Sequence, residues 1–173
     1  MTTHYYTATS LDGFIATPEH SLDWLLKQDF DDEGPMAYPG FVADIGALAM
    51  GATTYEWVRA HDPVWSYAQP TWVFTHRDLA PPAGADVRFT SGDVREVYAD
   101  MTAAASGRDL WIVGGGDLAG QFADAGLLDE VWLQYAPVTL GAGSPVLPRE
   151  LELELVDVAR NRAFLCGRYR VIR

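Results

Sequence analysis

One cysteine, Cys166, occurs in the whole chain, which excludes an intrachain disulfide and any paired-cysteine metal site. No apolar run approaches the roughly 20 residues of a membrane span. The N-terminal stretch MTTHYYTATSLDG has no basic segment followed by an apolar core and a small-residue cleavage site. No signal peptide is therefore expected, and the cytoplasm is the expected location. Positive charge is also scarce, with 12 Lys and Arg against 24 Asp and Glu and a net charge of −12. Such a field opposes nucleic acid and anionic lipid, whose binding depends on neutralising phosphates, so neither is an expected partner. A phosphorylated ligand would need local arginines and helix N-termini to overcome that field, which makes the position of each Arg informative.

What is abundant is apolar and aromatic surface: 49% of the 173 residues are hydrophobic and 12% aromatic, enough to build the core of one soluble domain. No repeat or low-complexity tract divides the chain, so residues 1–173 read as a single unit. Tyr5 to Ser10 is a β-prone run, and SLDGFIA follows with a turn at Asp12 and Gly13. Ser21 is placed to cap a short helix in SLDWLLKQ. A second helix is expected within Glu33 to Gly46, weakened in its first half by Pro35, Pro39 and Gly40. Ala47 to Met50 reads as a buried strand, and the helix of MGATTYEWVRA opens after Gly51. Thr71 to Phe74 is a third strand, ending at Thr75, His76 and Arg77. Val87 to Thr90 is a brief strand, and Asp93 to Ala105 a helix.

The segment LWIVGGGDLAGQF, Leu110 to Phe122, is the most informative. A fully apolar strand ends in three glycines, and Leu118, Phe122 and Ala125 then recur at helical spacing. A strand that feeds a glycine turn at a helix N-terminus offers bare backbone N–H groups and the positive end of the helix dipole to an anion. Gly114, Gly116 and Ala119 satisfy GxGxxA, a weak signal in isolation because glycine serves wherever a chain turns tightly. Two readings stand for these residues: an anion cradle, or close packing of the helix on the sheet. Beyond them, LLDEVWLQYAPVTLG reads as a long strand, GAGSPVLP as a loop, and Leu151 to Ile172 as an antiparallel hairpin turning near Asn161 and exposed on one face. Strands and helices alternate first and antiparallel strands finish the sheet, which predicts a three-layer α/β/α domain.

This order of landmarks resembles the dihydrofolate reductase-like fold, in particular the reductase domain of bacterial bifunctional riboflavin deaminase-reductases. The matching pieces are SLDGFIA, MGATTYE, WVFTHR, VGGGDL and LLDEVWLQYAPVTLGAGSPVL, which together span most of the chain. A Rossmann fingerprint would instead come in the first βα turn, whereas here the glycines come late.

The resemblance implies an NADPH-dependent reductase of a small heterocyclic substrate, commonly dimeric, with the C-terminal hairpin as a surface for self-association. It implies that Gly51, Thr53 and Thr54 receive the pyrophosphate and that Val113, Gly114, Gly115, Gly116, Asp117 and Leu118 take its other side. Thr75, His76 and Arg77 would flank the 2′-phosphate, and Ala8 and Ile15 would border the nicotinamide. Relatives often carry Arg where Ala52 stands, and many dihydrofolate reductases carry a basic residue where Asp117 stands, which leaves Arg77 as the main local cation. Asp23 is the nearest match to the substrate-orienting carboxylate of dihydrofolate reductases, with Ser21 an equal match in register and a role at the helix start as the alternative. Asp12 reads as a turn cap. A substrate phosphate would have Arg59, Arg149, Arg160 and Arg162 to draw on. No deaminase motif of His, Glu and paired Cys is present, so a stand-alone reductase is expected. Two other functions remain open, dihydrofolate reduction and non-catalytic nucleotide binding.

Overall fold

Period-two alternation along the strands sets the layers. The computed structural model describes every residue, Met1–Arg173. In β1 (Thr3–Thr9), β3 (Ile45–Gly51) and β6 (Asp109–Gly114), the side chains of Tyr5, Ala47, Ala49, Leu110 and Ile112 enter one core. They meet Met101 of α4 (Val94–Ala105) and Leu118 and Phe122 of α5 (Gly116–Asp124) there. Their neighbours Tyr6, Leu48 and Trp111 face the other way, onto Phe41 of α2 (Tyr38–Val42). On that same side Met50, with Val73 of β4 (Thr71–Phe74), packs on Tyr55 of α3 (Ala52–His61). Each large side chain buried this way, such as Phe122, contributes about 1.5–3 kcal/mol. Helices thus cover both faces, as an apolar parallel sheet requires.

The main sheet has eight strands in the order β5–β4–β3–β6–β1–β7–β10–β9, with β5 at Val87–Thr90, β7 at Glu130–Tyr135, β9 at Leu153–Asn161 and β10 at Phe164–Val171. Pairings from β5 through β7 are parallel, and β10 joins β7 and β9 antiparallel. The expected mostly parallel sheet with a terminal hairpin is therefore present, and the hairpin turns at Arg162, where φ is 47°.

Several boundaries differ from the sequence reading. The long strand after Leu127 stops at Tyr135, and the chain bends at Ala136 to Val138, where Pro137 has no N–H to continue a ladder. The helix within 33–46 is reduced to Tyr38–Val42, with Pro39 in its first turn. The residues before it are held by Asn161 instead, whose side-chain oxygen accepts the Asp31 N–H at 3.0 Å and whose amide donates to Asp31 O at 2.9 Å. In α1 (Asp23–Leu26) the cap position is Leu22, not Ser21. The Ser21 hydroxyl accepts the Asp23 N–H at 3.2 Å, two residues on, while its carbonyl accepts the Trp24 indole.

The glycine and proline loop near residue 144 contains a strand. β2 (Phe14–Ala16) and β8 (Ser144–Pro145) pair antiparallel as a separate two-stranded sheet. Asp12 secures this union, since its carboxylate accepts N–H groups from Leu140 and Gly141 and the hydroxyl of Ser10. Its pKa is accordingly held at about 2, by the Ser10 hydrogen bond first and the Leu140 N–H next. The cap expected from its sequence position reaches across the chain as well as around its own turn.

Candidate functional site

At the carboxyl end of the parallel sheet, Met50 of β3 lies opposite Gly114 of β6, and each strand passes into a helix through glycine. Gly51 is the N-cap of α3 and Gly115 that of α5, and neither has a side chain with which to accept the first-turn N–H groups. The third long helix, α4, behaves differently: its cap, Asp93, accepts the Arg95 N–H at 2.8 Å. Two helix N-termini with unclaimed donors and aligned dipoles therefore open onto one cleft.

Cβ atoms are missing where they would crowd that space. One built on Gly51 would meet nothing closer than 3.9 Å, and one on Gly115 only Ile15 Cδ1 at 3.8 Å. Gly114, at φ +154°, holds a conformation that L side chains rarely adopt, and a Cβ there would press on Thr54 Oγ1 at 3.3 Å. Gly116 has another purpose. A Cβ at this position would collide with the carbonyls of Pro145 and Val146, so this glycine lets α5 lie against β8. The close-packing reading thus holds for Gly116, while Gly114 and Gly115 leave the cleft open.

The cleft has a volume of about 730 Å³. It gathers Ile15, Gly51, Thr53, Thr54, Val113, Gly114, Gly115, Gly116, Asp117 and Leu118 from the residues singled out in the sequence. Ala8, Thr75, His76, Arg77 and Asp23 lie outside its wall. Strand alternation explains Ala8: its neighbour Thr7 faces the cleft, and the next residue along β1 points to the opposite side of the sheet. Thr75 to Arg77 continue past Phe74, the last cleft residue of β4. The Arg77 N–H bonds Thr75 Oγ1 at 2.9 Å, and its guanidinium pairs with Glu56 of α3. Asp23 is exposed on α1, whereas His20 and Leu22, just before it, line the cleft.

The remaining wall was not anticipated. It comes from Trp57 and Val58 of α3, Tyr67, Gln121, the strand β8 with Gly143, and Pro148. Trp57 lies one turn beyond Thr53 and Thr54, a helical spacing that could have flagged it. Its indole is stacked on the His61 ring with centroids 4.0 Å apart and planes 14° from parallel. Burial pushes the Tyr67 phenol up, aided by Tyr38 and Asp62, so it stays a neutral hydrogen-bonding group.

No Arg or Lys lines the cleft. Asp117, where a cation was lacking, is bonded by Gln121 at 3.0 Å and by Arg149 at 3.2 Å. Arg149 also grips Asp124 at 2.8 Å and lies against Gly120. The other arginines considered for a substrate phosphate are placed elsewhere: Arg59 bonds the Tyr55 hydroxyl, Arg160 the Arg162 carbonyl, and Arg162 pairs with Asp29 and Asp31.

A second hollow of about 490 Å³ lies near the amino ends of β1 and β6, bordered by His4, Asp32, Glu33, Asp44, Asp109 and Arg168 among others. Its two basic side chains face carboxylates. His4 sits 3.1 Å from Asp109 and 3.3 Å from Glu130, and Arg168 clasps Glu130 through two bonds of 2.9 and 2.8 Å. Open α/β sheets bind ligands at the carboxyl ends of their strands, which favours the glycine-lined cleft.

Comparison with known proteins identifies the family and the fold. The model of the RibD C-terminal domain matches residues 52–164, from the start of α3 to the start of β10. The chain belongs to this family. It is 35% identical over 156 residues to the uncharacterized protein YwjB of Bacillus subtilis (strain 168), covering 87% of this chain and 86% of YwjB. Among solved structures, a putative riboflavin biosynthesis protein from Shewanella sp. PV-4 superposes over the full length of both chains with a TM-score of 0.85 and 26% identity. RibD of Acinetobacter baumannii shares the fold at a TM-score of 0.68 and 18% identity, over 99% of this chain and 58% of its own. No helix is long and apolar enough to cross a membrane.

Proposed function

We propose that this protein is a reductase that uses NADPH to reduce a small heterocycle. The observation that carries the reading is the convergence of two side-chain-free helix N-termini, at Gly51 and Gly115, on one cleft at the carboxyl ends of β3 and β6. Membership of the RibD C-terminal domain family supports it independently. The donor set suits a pyrophosphate: N–H groups of Thr53, Thr54 and Gly116 to Leu118 would hold it, with the Thr54 hydroxyl beside them. Ile15 would border the nicotinamide. Arg77 would turn from Glu56 to a 2′-phosphate, exchanging one charge-assisted bond for another. When bound, the reduced nicotinamide supplies the hydride that such a reduction needs. Trp57, Tyr67, His20 and Leu22 would confine the substrate and limit its contact with water.

Dihydrofolate reduction is the weaker reading. It calls for a carboxylate from the first helix, and the cleft receives Leu22 there while Asp23 stays in solvent. Titration of the purified protein with NADPH and NADH, followed through tryptophan fluorescence, tests the proposal. Binding of NADPH is expected, and binding of neither dinucleotide would overturn it.

Self-association through the C-terminal hairpin accompanies this reading. β9 is a sheet edge, and Leu153, Leu155, Val158 and Leu165 form an apolar stripe on one face of the hairpin, with Leu155 and Val158 each 56% exposed. The strand is acidic at its start, with Glu152 and Glu154, and basic at its end, with Arg160 and Arg162. A two-fold axis through its middle would bring opposite charges together around the apolar stripe of a second copy.

A further inference from the structure

We propose that the substrate of this cleft is an uncharged planar heterocycle that carries no phosphate group. The inference rests on the reductase reading above and narrows it. A phosphoribosyl substrate, of the kind for which the Thermotoga maritima deaminase/5-amino-6-(5-phosphoribosylamino)uracil reductase is named, brings a dianion into the site. Phosphate dianions are held by Arg or Lys, or by helix N-termini. Not one of the cleft's lining residues is Arg or Lys. The two helix N-termini are taken by the dinucleotide pyrophosphate in the same reading, so a second phosphate has no donor set left.

The rest of the molecule does not make up the deficit. Arg149, the cation nearest the α5 wall, is bonded to both Asp117 and Asp124, and Arg77, outside the cleft wall, is given to the 2′-phosphate in the same reading. Asp117 is the one carboxylate in the cleft wall, and the chain around it carries a net charge of −12. A dianion would enter against that field. For a neutral ring system the same wall is well suited. Trp57, backed by His61, is a flat apolar platform, and Tyr67 supplies a neutral phenol.

The test compares two ligands that differ only in the phosphate, 5-amino-6-ribosylaminouracil and its 5′-phosphate, titrated calorimetrically into the full chain with and without NADPH. At low ionic strength the unphosphorylated compound is expected to bind on the order of tenfold or more tightly, with the gap narrowing as salt is added. Equal or tighter binding of the phosphate overturns the inference, and so does failure of both compounds to bind. The NADPH titration on the same samples reports separately on the reductase reading. If NADPH fails to bind while the nucleoside binds, the cofactor assignment falls and the heterocycle preference is still measured. Trp57→Ala is expected to weaken nucleoside binding about threefold to tenfold, and Trp57→Phe to restore most of it. Unchanged binding in Trp57→Ala would remove the stacking wall from the argument.

Discussion

The carboxylate of Asp12 accepts the backbone N–H of Leu140 at 3.0 Å, joining segments 128 residues apart in the chain. This contact holds β2 against β8, and those strands supply Ile15, Ala16, Ser144 and Pro145 to the cleft wall. Asp12→Asn is expected to weaken NADPH binding while leaving the main sheet intact, because the amide keeps the shape and loses the charge that draws three donors. Fluorescence titration together with far-ultraviolet circular dichroism checks both halves of this expectation.

The same residue makes a pH prediction. Its folded pKa, about 2, lies below the ordinary Asp value of about 3.9. A depressed carboxylate stabilises the folded state above the unfolded pKa, and that contribution is lost as pH falls through the folded one. Acid titration of the wild type should show a component of unfolding between about pH 4 and pH 2. The component should be missing from Asp12→Asn, and an identical acid limb in the two proteins would contradict the assignment.

Gly51 and Gly116 should separate on substitution. A Cβ at Gly51 meets nothing within 3.9 Å, so Gly51→Ala is expected to cost no more than about 1 kcal/mol of stability and to lower affinity for NADPH. At Gly116 the new atom would strike two carbonyls, and Gly116→Ala is expected to cost about 1–3 kcal/mol. Urea unfolding midpoints and NADPH titrations on both variants would reveal the contrast.

Arg77 and Glu56 are an exposed pair, worth less than about 1 kcal/mol to the fold. Arg77→Ala should therefore leave the melting temperature nearly unchanged. If Arg77 reads the 2′-phosphate, NADPH binding falls about tenfold to a hundredfold, the scale of a lost hydrogen bond to a charged group, while NADH is little affected. Glu56→Gln should shift the preference the other way. Equal losses for both dinucleotides would take Arg77 out of the site.

Sedimentation equilibrium addresses the hairpin. The wild type is expected to be a dimer and Val158→Glu a monomer, since the substitution puts charge in the middle of the apolar stripe. A monomeric wild type would refute the pairing.

The strand, glycine and helix units at Gly51 and Gly114 were legible because each is local: an apolar run, a turn residue and a helical repeat follow within about 15 residues. The terminal hairpin was legible from its alternation. β8 was not, since two residues carry no period, and their pairing with Phe14 and Ala16 is decided by Asp12 and by the approach of α5 at Gly116. Trp57 and Tyr67 were hidden for a related reason. Which side of a helix or loop meets the cleft depends on how α3 leans on β3 and β4, and the chain does not encode that locally. Arg149 read as a free cation because the carboxylates that hold it, Asp117 and Asp124, lie 32 and 25 positions away.

α4 settles its first turn with Asp93, whereas α3 and α5 have no side-chain cap for theirs. A side-chain cap is worth about 0.5–2 kcal/mol, so the unliganded chain stands below the stability its architecture permits. An anion spanning both N-termini would act as the missing cap for two helices at once. If the dinucleotide is that anion, resistance to heat would depend on ligand concentration as much as on sequence, rising with each increment bound.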